Sequence, residues 1–280
     1  MSELPSFDPE PMARGHGGKG RAIAFKIAAP ILLGILVLAG WQEIVRVEGI
    51  PPYILPGPLA VARTLVTDWP TLSGSLWITL ENTILAFLAA AIGGLLLAIL
   101  FAQSRVVEFS LFPYAVILQV TPIVAIAPLI IIWVRDTQLA LLICAWIVAF
   151  FPVVSNTTLG LNSADHHLLN LFQLYGATRS QTLFLLRLPN AMPYFLGSLR
   201  ISGGLALIGA VVAEFVAGTA GSESGLAYRI LESGYRLNIP RMFAALVLVS
   251  LAGVVIFLAL TLVQWLILRR WHESAVRREN

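Results

Sequence analysis

Cysteine is almost absent from this chain, with one residue, Cys144, in 280. A lone thiol inside an apolar run (139–154) can form no intramolecular disulfide, and it reads as a small buried hydrophobe. Lysine is nearly as scarce. Lys19 and Lys26 are followed by Gly20 and Ile27, so the chain has no Gly-rich loop ending in the Gly-Lys-Ser/Thr that cradles phosphates in nucleotide hydrolases. Charge of either sign is rare, at 12% against roughly 25% in soluble domains. The 18 basic and 15 acidic residues leave a net charge of only +3, which argues against nucleic acid as a partner. The four histidines offer no metal site: His16 and His272 lie in tails, and the adjacent His166 and His167 project in different directions from any helix. Nor does a Ser/His/Asp arrangement or a pair of carboxylates within an apolar run mark an enzyme.

What the chain has in excess is apolar surface. Its hydrophobic fraction is 58% and its mean hydropathy +0.85. Leaving out Tyr and counting Gly, as the averages do, the fraction is roughly 64%, against about 45–50% for soluble domains. A globule of this length has too little interior for that many apolar side chains, so most must face lipid or neighbouring helices. The expected fold is all-α, a polytopic membrane protein of about six transmembrane helices.

Residues 1–26 are rich in Pro and Gly, carry Arg14, Lys19, Arg21 and Lys26, and read as a disordered basic tail. The spans are expected at 27–44, 83–102, 113–134, 138–154, 193–217 and 242–268, together a transmembrane domain over 27–268, with 269–280 a C-terminal tail. Between the first two spans, 46–81 has four prolines clustered within 50–58, Pro51, Pro52, Pro56 and Pro58, and reads as a loop leading into an amphipathic helix. Pro122 and Pro128 predict kinks in the third span. With the N-terminus inside, cytoplasmic segments hold 12 basic residues and outer segments 6 of the 18. The positive-inside rule therefore puts both termini and the 155–190 segment in the cytoplasm.

That segment predicts a helical elbow. Leu168, Leu169, Leu171, Phe172 and Tyr175 recur at helical spacing, Gly176 suits a left-handed cap, Thr178 or Ser180 can start a second helix, and Pro189 is expected to end it. Gly176 followed after nine residues by Leu186-Arg187-Leu188-Pro189, between the fourth and fifth spans, resembles the cytoplasmic coupling loop of permease subunits of bacterial ATP-binding-cassette (ABC) importers. The resemblance runs from about residue 54 to 268. It includes Leu55-Pro56-Gly57-Pro58, residues 122–133, Val212-Ala213-Glu214 and Gly225-Leu226, and is greatest to the nitrate/sulfonate/taurine and riboflavin/thiamine-precursor branch. In one respect the chain departs: where family members often carry Glu-Ala-Ala before the glycine, it has Asn170-Leu171-Phe172.

The resemblance implies a type I ABC importer permease in the bacterial inner membrane. Its partners would be two ATPase subunits, a second permease copy in a homodimer, an extracytoplasmic solute-binding protein and membrane lipid. No cofactor would bind this chain, ATP being held by the ATPase partners. The solute would be a sulfonate-, nitrate- or taurine-like anion, or a pyrimidine- or riboflavin-like heterocycle. Tyr175, Gly176, Ala177, Thr178, Arg179, Leu186, Leu188 and Pro189 would form the ATPase-docking loop. The rival class is a stand-alone carrier or channel, which would need midplane ion-binding residues in a repeated pair of broken helices; no such repeat is visible. Glu214, an ionisable residue near the outer end of the fifth span, is a candidate for the pathway or its gate, against a half-solvated carboxylate that caps helix contacts. It follows Arg200 by 14 residues, roughly 21 Å along a helix, so the two do not pair.

Overall fold

A computed structural model describes residues 18–218 and 224–269. The expected tails at 1–17 and 270–280 lie outside them. Among the described residues all regular secondary structure is helical, and the chain divides into two compact units after Leu59.

The first unit is built on α1 (Gly18–Val47). The helix begins inside the stretch expected as tail. Once an apolar segment has nucleated, each added residue gains a hydrogen bond at little cost, so α1 propagates back through Ala, Lys and Arg, all good helix formers. From Ile31 to Leu38 the large apolar side chains are at least half exposed, as lipid requires. After Val47 the proline-rich stretch turns on itself, and the Gln42 side chain accepts the Leu59 N–H at 3.2 Å.

The second unit contains α2 (Pro58–Thr67), α3 (Trp69–Gln103), α4 (Arg105–Val120), α5 (Ile123–Trp133), α6 (Thr137–Asn162), α7 (His166–Leu174), α8 (Arg179–Thr182), α9 (Leu188–Ala217), α10 (Leu226–Tyr235) and α11 (Ile239–Leu268). One π turn, Leu183–Arg187, joins α8 to α9. Long apolar helices suited to crossing a bilayer are the Ala28–Val47 part of α1, α3, α6, the continuous stretch Arg179–Ala217, and α11; α4 and α5 supply a sixth as a bent pair.

Several boundaries differ from expectation for local reasons. The third span is broken rather than merely kinked: α4 and α5 meet at 103°. Pro122 disfavours helix at the residue before it, and Thr121 is accordingly extended (φ −72°, ψ 123°). α3 starts at Trp69, well before residue 83, because its one early proline, Pro70, lies in the first turn, where no N–H is needed. α6 runs on to Asn162 through residues expected in the loop. There the Asn156 amide donates back to the Pro152 carbonyl at 2.9 Å, and Thr157 and Thr158 are buried.

The core is a sandwich of α6 between α3 and α9. Its seams are small: Ala86, Ala90, Ala98, Ala140, Ala145, Ala149, Ala206, Ala210 and Ala213 are all buried. In lipid, where apolar side chains gain little from leaving the solvent, close backbone approach provides the attraction. At Gly209 an added Cβ would come 2.8 Å from the Ala145 Cα. The Ser202 hydroxyl crosses the seam to donate to the Ala149 carbonyl at 2.8 Å. Cys144 is buried in the adjoining cluster with Ala127, Leu141 and Ala213.

Candidate functional site

The elbow forms as its sequence dictates up to the second helix. Asp165 caps α7 by accepting the His167 N–H at 2.7 Å. At the other end Gly176 takes φ +68°, with its N–H bonded to the Gln173 carbonyl at 3.0 Å and that of Ala177 to the Phe172 carbonyl at 2.9 Å. This crossed pair is the Schellman closure, which satisfies two otherwise orphaned carbonyls and needs a left-handed residue at its centre. Thr178 then opens α8 with a reciprocal box. Its hydroxyl accepts the Gln181 N–H at 3.2 Å, and the Gln181 side chain accepts the Thr178 N–H at 2.7 Å.

The tip between the two caps is exposed. Leu174 and Tyr175 have 85% and 84% of their surface free, and Gly176, Thr178 and Arg179 are exposed beside them, with Ala177 half-buried. Leu186, Leu188 and Pro189 are half-buried instead, at the base. Leu188 packs on the buried cluster of Ala98, Leu161, Leu183 and Ala191. Pro189 does not end a helix, contrary to expectation. It lies in the first turn of α9, and the π turn before it, closed by the Leu188 N–H to the Leu183 carbonyl, carries the chain into the span without a break. Asn190 braces this base by donating to the Ser163 hydroxyl at 3.0 Å and the Gly160 carbonyl at 3.4 Å.

Glu214 lies at the far end of α9, about 39 Å along the helix from Leu188. It is not half-solvated: only 1% of its surface is exposed, because α10 folds back over it. Its Oε2 accepts both the Thr79 hydroxyl of α3 and the Ala227 N–H of α10, each at 3.1 Å. Thr79 in turn accepts the Leu226 N–H at 2.9 Å. The carboxylate and its threonine thus cap the N-terminus of α10, where the first N–H groups lack intrahelical partners and the helix dipole favours an anion. Gly225 makes this possible, since a Cβ there would overlap the carboxylate. Oε1 has no hydrogen-bond partner among the described residues.

Further contacts fasten α10 outside this cap. Arg229 donates to the Ser75 hydroxyl at 2.9 Å and pairs with Glu232 at 2.8 Å, and Leu226 and Ile230 join Val61, Leu72, Ala244, Ala245 and Leu248 in an apolar cluster. Thr79, Gly225 and Ala227 carry no local signal for this role: Thr79 and Glu214 are 135 residues apart. For Leu174 and Gln181 a signal existed, in the apolar periodicity and in the Thr-x-x-Gln spacing of a capping box. No group of three or more His, Cys, Asp or Glu suited to a metal occurs among the described residues.

Residues 90–272 match the family described as binding-protein-dependent transport system inner membrane component. The riboflavin transport system permease protein RibX of Chloroflexus aurantiacus is 34% identical over 89% of this chain and 91% of its own length. The formylaminopyrimidine transport permease protein ThiX of Halalkalibacterium halodurans is 30% identical over 85% and 93%, and the taurine transport system permease protein TauC of Escherichia coli is 27% identical over 85% and 87%. Two solved structures share the fold at 19% identity, an amino acid ABC transporter (TM-score 0.59, covering 74% of this chain and 97% of the other) and the methionine transporter MetNI (0.57, 74% and 96%). A helical chain with five long apolar helices and a bent sixth, in which one continuous helix links an exposed elbow to a buried carboxylate, thus belongs to the inner membrane permease components of binding-protein-dependent ABC importers, multi-pass proteins that are not themselves catalytic.

Proposed function

We propose that this chain forms half of the membrane pathway of an importer for a small neutral nitrogen heterocycle, driven by ATP hydrolysis on partner subunits. Two copies would enclose the pathway, each elbow docking one ATPase, with an extracytoplasmic binding protein delivering the solute. The observation that carries this reading is the elbow. Its tip is exposed, its two ends are capped, and its base is packed into the ends of α3, α6 and α9. A knob built this way transmits displacement instead of absorbing it.

Tyr175, Gly176, Ala177, Thr178 and Arg179 are the docking surface in this reading, while Leu186, Leu188 and Pro189 join it to the spans. α9 is the lever. Closure of the ATPase pair draws the elbows together, and α9 carries the movement to the opposite end, where Glu214 latches α10 to α3 and α9 as part of the outer gate. The elbow faces the cytoplasm, as do both termini, in keeping with the charge asymmetry.

The solute class is supported by the identities of the named relatives, the highest of which belongs to a riboflavin permease. The permease named for riboflavin is 34% identical to this chain, those named for formylaminopyrimidine and aliphatic sulfonates 30% each, and those named for taurine and nitrate 27% and 26%.

The test is Gly176→Val, made in the permease co-expressed with its ATPase and binding protein. A branched residue at φ +68° costs at least ~1 kcal/mol in strain and adds bulk at the docking tip. The variant should insert normally, yet lose co-purification with the ATPase and uptake of labelled pyrimidine or flavin. Normal co-purification with normal ATP-dependent uptake would overturn the docking assignment. Uptake of a sulfonate or nitrate alone by the unaltered protein would overturn the solute class.

A further inference from the structure

We propose that a cavity beside the elbow, walled by Arg105, Arg179 and Arg187, is a binding site for the phosphate group of an anionic phospholipid. The cavity measures about 510 Å³ and lies between the α3–α4 junction and the elbow, with Gln103, Gln173 and Thr182 also on its wall. No carboxylate lines it. None of the three arginines has an ion-pair partner among the described residues. Arg187 donates from Nη1 to the Ala102 carbonyl at 3.2 Å, which fixes the side chain and leaves four of its five N–H donors for a ligand.

The start of α4 adds to this field. Ser104, Arg105 and Val106 all line the cavity. Ser104 caps the helix by accepting the Val107 N–H at 3.4 Å, so the positive end of a 16-residue helix opens on the same space as the arginines. Three cations, a helix N-terminus and amide donors without a carboxylate fit a phosphate, which guanidinium groups bind with paired, charge-assisted hydrogen bonds.

The phosphate could be free or borne by a lipid, and the surroundings favour the lipid. The cavity sits where α4 begins, at the end of α3, a long apolar helix suited to crossing a bilayer. Val106 on its rim and nearby Phe109 are 75% and 73% exposed. A second cavity of about 440 Å³ shares Arg105 and Arg187 and is walled by Phe101, Phe109 and Leu161 as well as Glu108 and His166. An acyl chain would lie along the aromatic and aliphatic rim while its headgroup entered the basic cavity, the arrangement by which basic pockets between spanning helices hold anionic lipids. The proposal rests on the membrane-spanning reading of the chain; the cavity shares Ala177 and Arg179 with the proposed docking tip, whereas Arg105 and Arg187 lie outside that tip.

The experiment is native mass spectrometry of the purified permease, delipidated in detergent and titrated with phosphatidylglycerol, phosphatidylcholine or inorganic phosphate. Phosphatidylglycerol should bind in preference to phosphatidylcholine. Arg105→Gln should weaken it about fivefold, the effect of one cation worth ~1 kcal/mol near a membrane surface, while Arg105→Lys should retain most of the affinity. Arg135→Gln, remote from the cavity, should leave binding unchanged and serves as the control for general surface charge. Thermal unfolding of each variant checks that it is folded. Equal binding by the unaltered protein and Arg105→Gln, or an equal loss in Arg135→Gln, would overturn the site. Phosphate binding without retention of phosphatidylglycerol would overturn the lipid assignment. If Gly176→Val lost ATPase contact and kept its lipid, this site would stand, whereas a normal Gly176→Val with lipid bound would refute docking alone.

Discussion

The latch between Glu214 and α10 makes a quantitative prediction, because two of its parts compete for one volume. In Gly225→Ala the new methyl overlaps the Glu214 carboxylate. The carboxylate cannot swing aside freely, being 1% exposed and held by Thr79 and Ala227. Either those hydrogen bonds break, at about 1.5–3 kcal/mol each for bonds to a charged group, or the N-terminus of α10 lifts and gives up packing of Leu226 and Ile230, roughly 2 kcal/mol per side chain. The expected cost is about 2–4 kcal/mol. Glu214→Ala by itself strands the Ala227 N–H and the Thr79 hydroxyl in a buried place, again about 3 kcal/mol. Combined, the two changes relieve each other, since the alanine methyl at 225 occupies space that the carboxylate has vacated. The double variant should therefore fall short of the sum by about 2 kcal/mol. Equilibrium unfolding in mixed micelles with increasing sodium dodecyl sulfate measures all four proteins. Additivity within ~0.5 kcal/mol would show that Gly225 and Glu214 do not share this volume, and the latch would be refuted.

Other outcomes follow from single features. Glu214→Gln, which keeps the shape and weakens the acceptor, should reduce solute uptake while leaving assembly with the ATPase intact; unfolded protein with no selective loss of uptake would mark Glu214 as purely structural. Leu237 holds the left-handed position, φ 55°, in a Schellman closure after α10, where Leu237→Gly should stabilise the protein by about 1 kcal/mol in the same unfolding assay; destabilisation would show that its exposed side chain is packed against a partner. In a Cys144→Ala background, Ser180→Cys should resist an impermeant thiol reagent added outside sealed cells and Tyr235→Cys, at a position 86% exposed, should react. Labelling at 180 would invert the topology.

Much of this protein is written in local sequence. The apolar runs, the charge asymmetry and the absence of a phosphate-binding loop depend on composition, and a bilayer turns composition directly into spans because no unpaired backbone group survives in hydrocarbon. Gly176 and Thr178 were legible for the same reason: a left-handed cap and a capping box are settled within a few residues. Proline was the ambiguous sign. Pro122 breaks a span while Pro113, Pro128 and Pro152 sit inside helices, and Pro189 opens a helix that it was expected to close, because neighbouring helices and a π turn decide whether a missing N–H is tolerated. The surroundings of Glu214 were not legible at all. Sequence placed a carboxylate near the outer end of a span, but only the fold brings Thr79 and Gly225 to it, and only that contact turns an expected half-solvated group into a buried latch. Burial and partnership of a charge are properties of distant segments meeting in space, and no spacing along one helix encodes them.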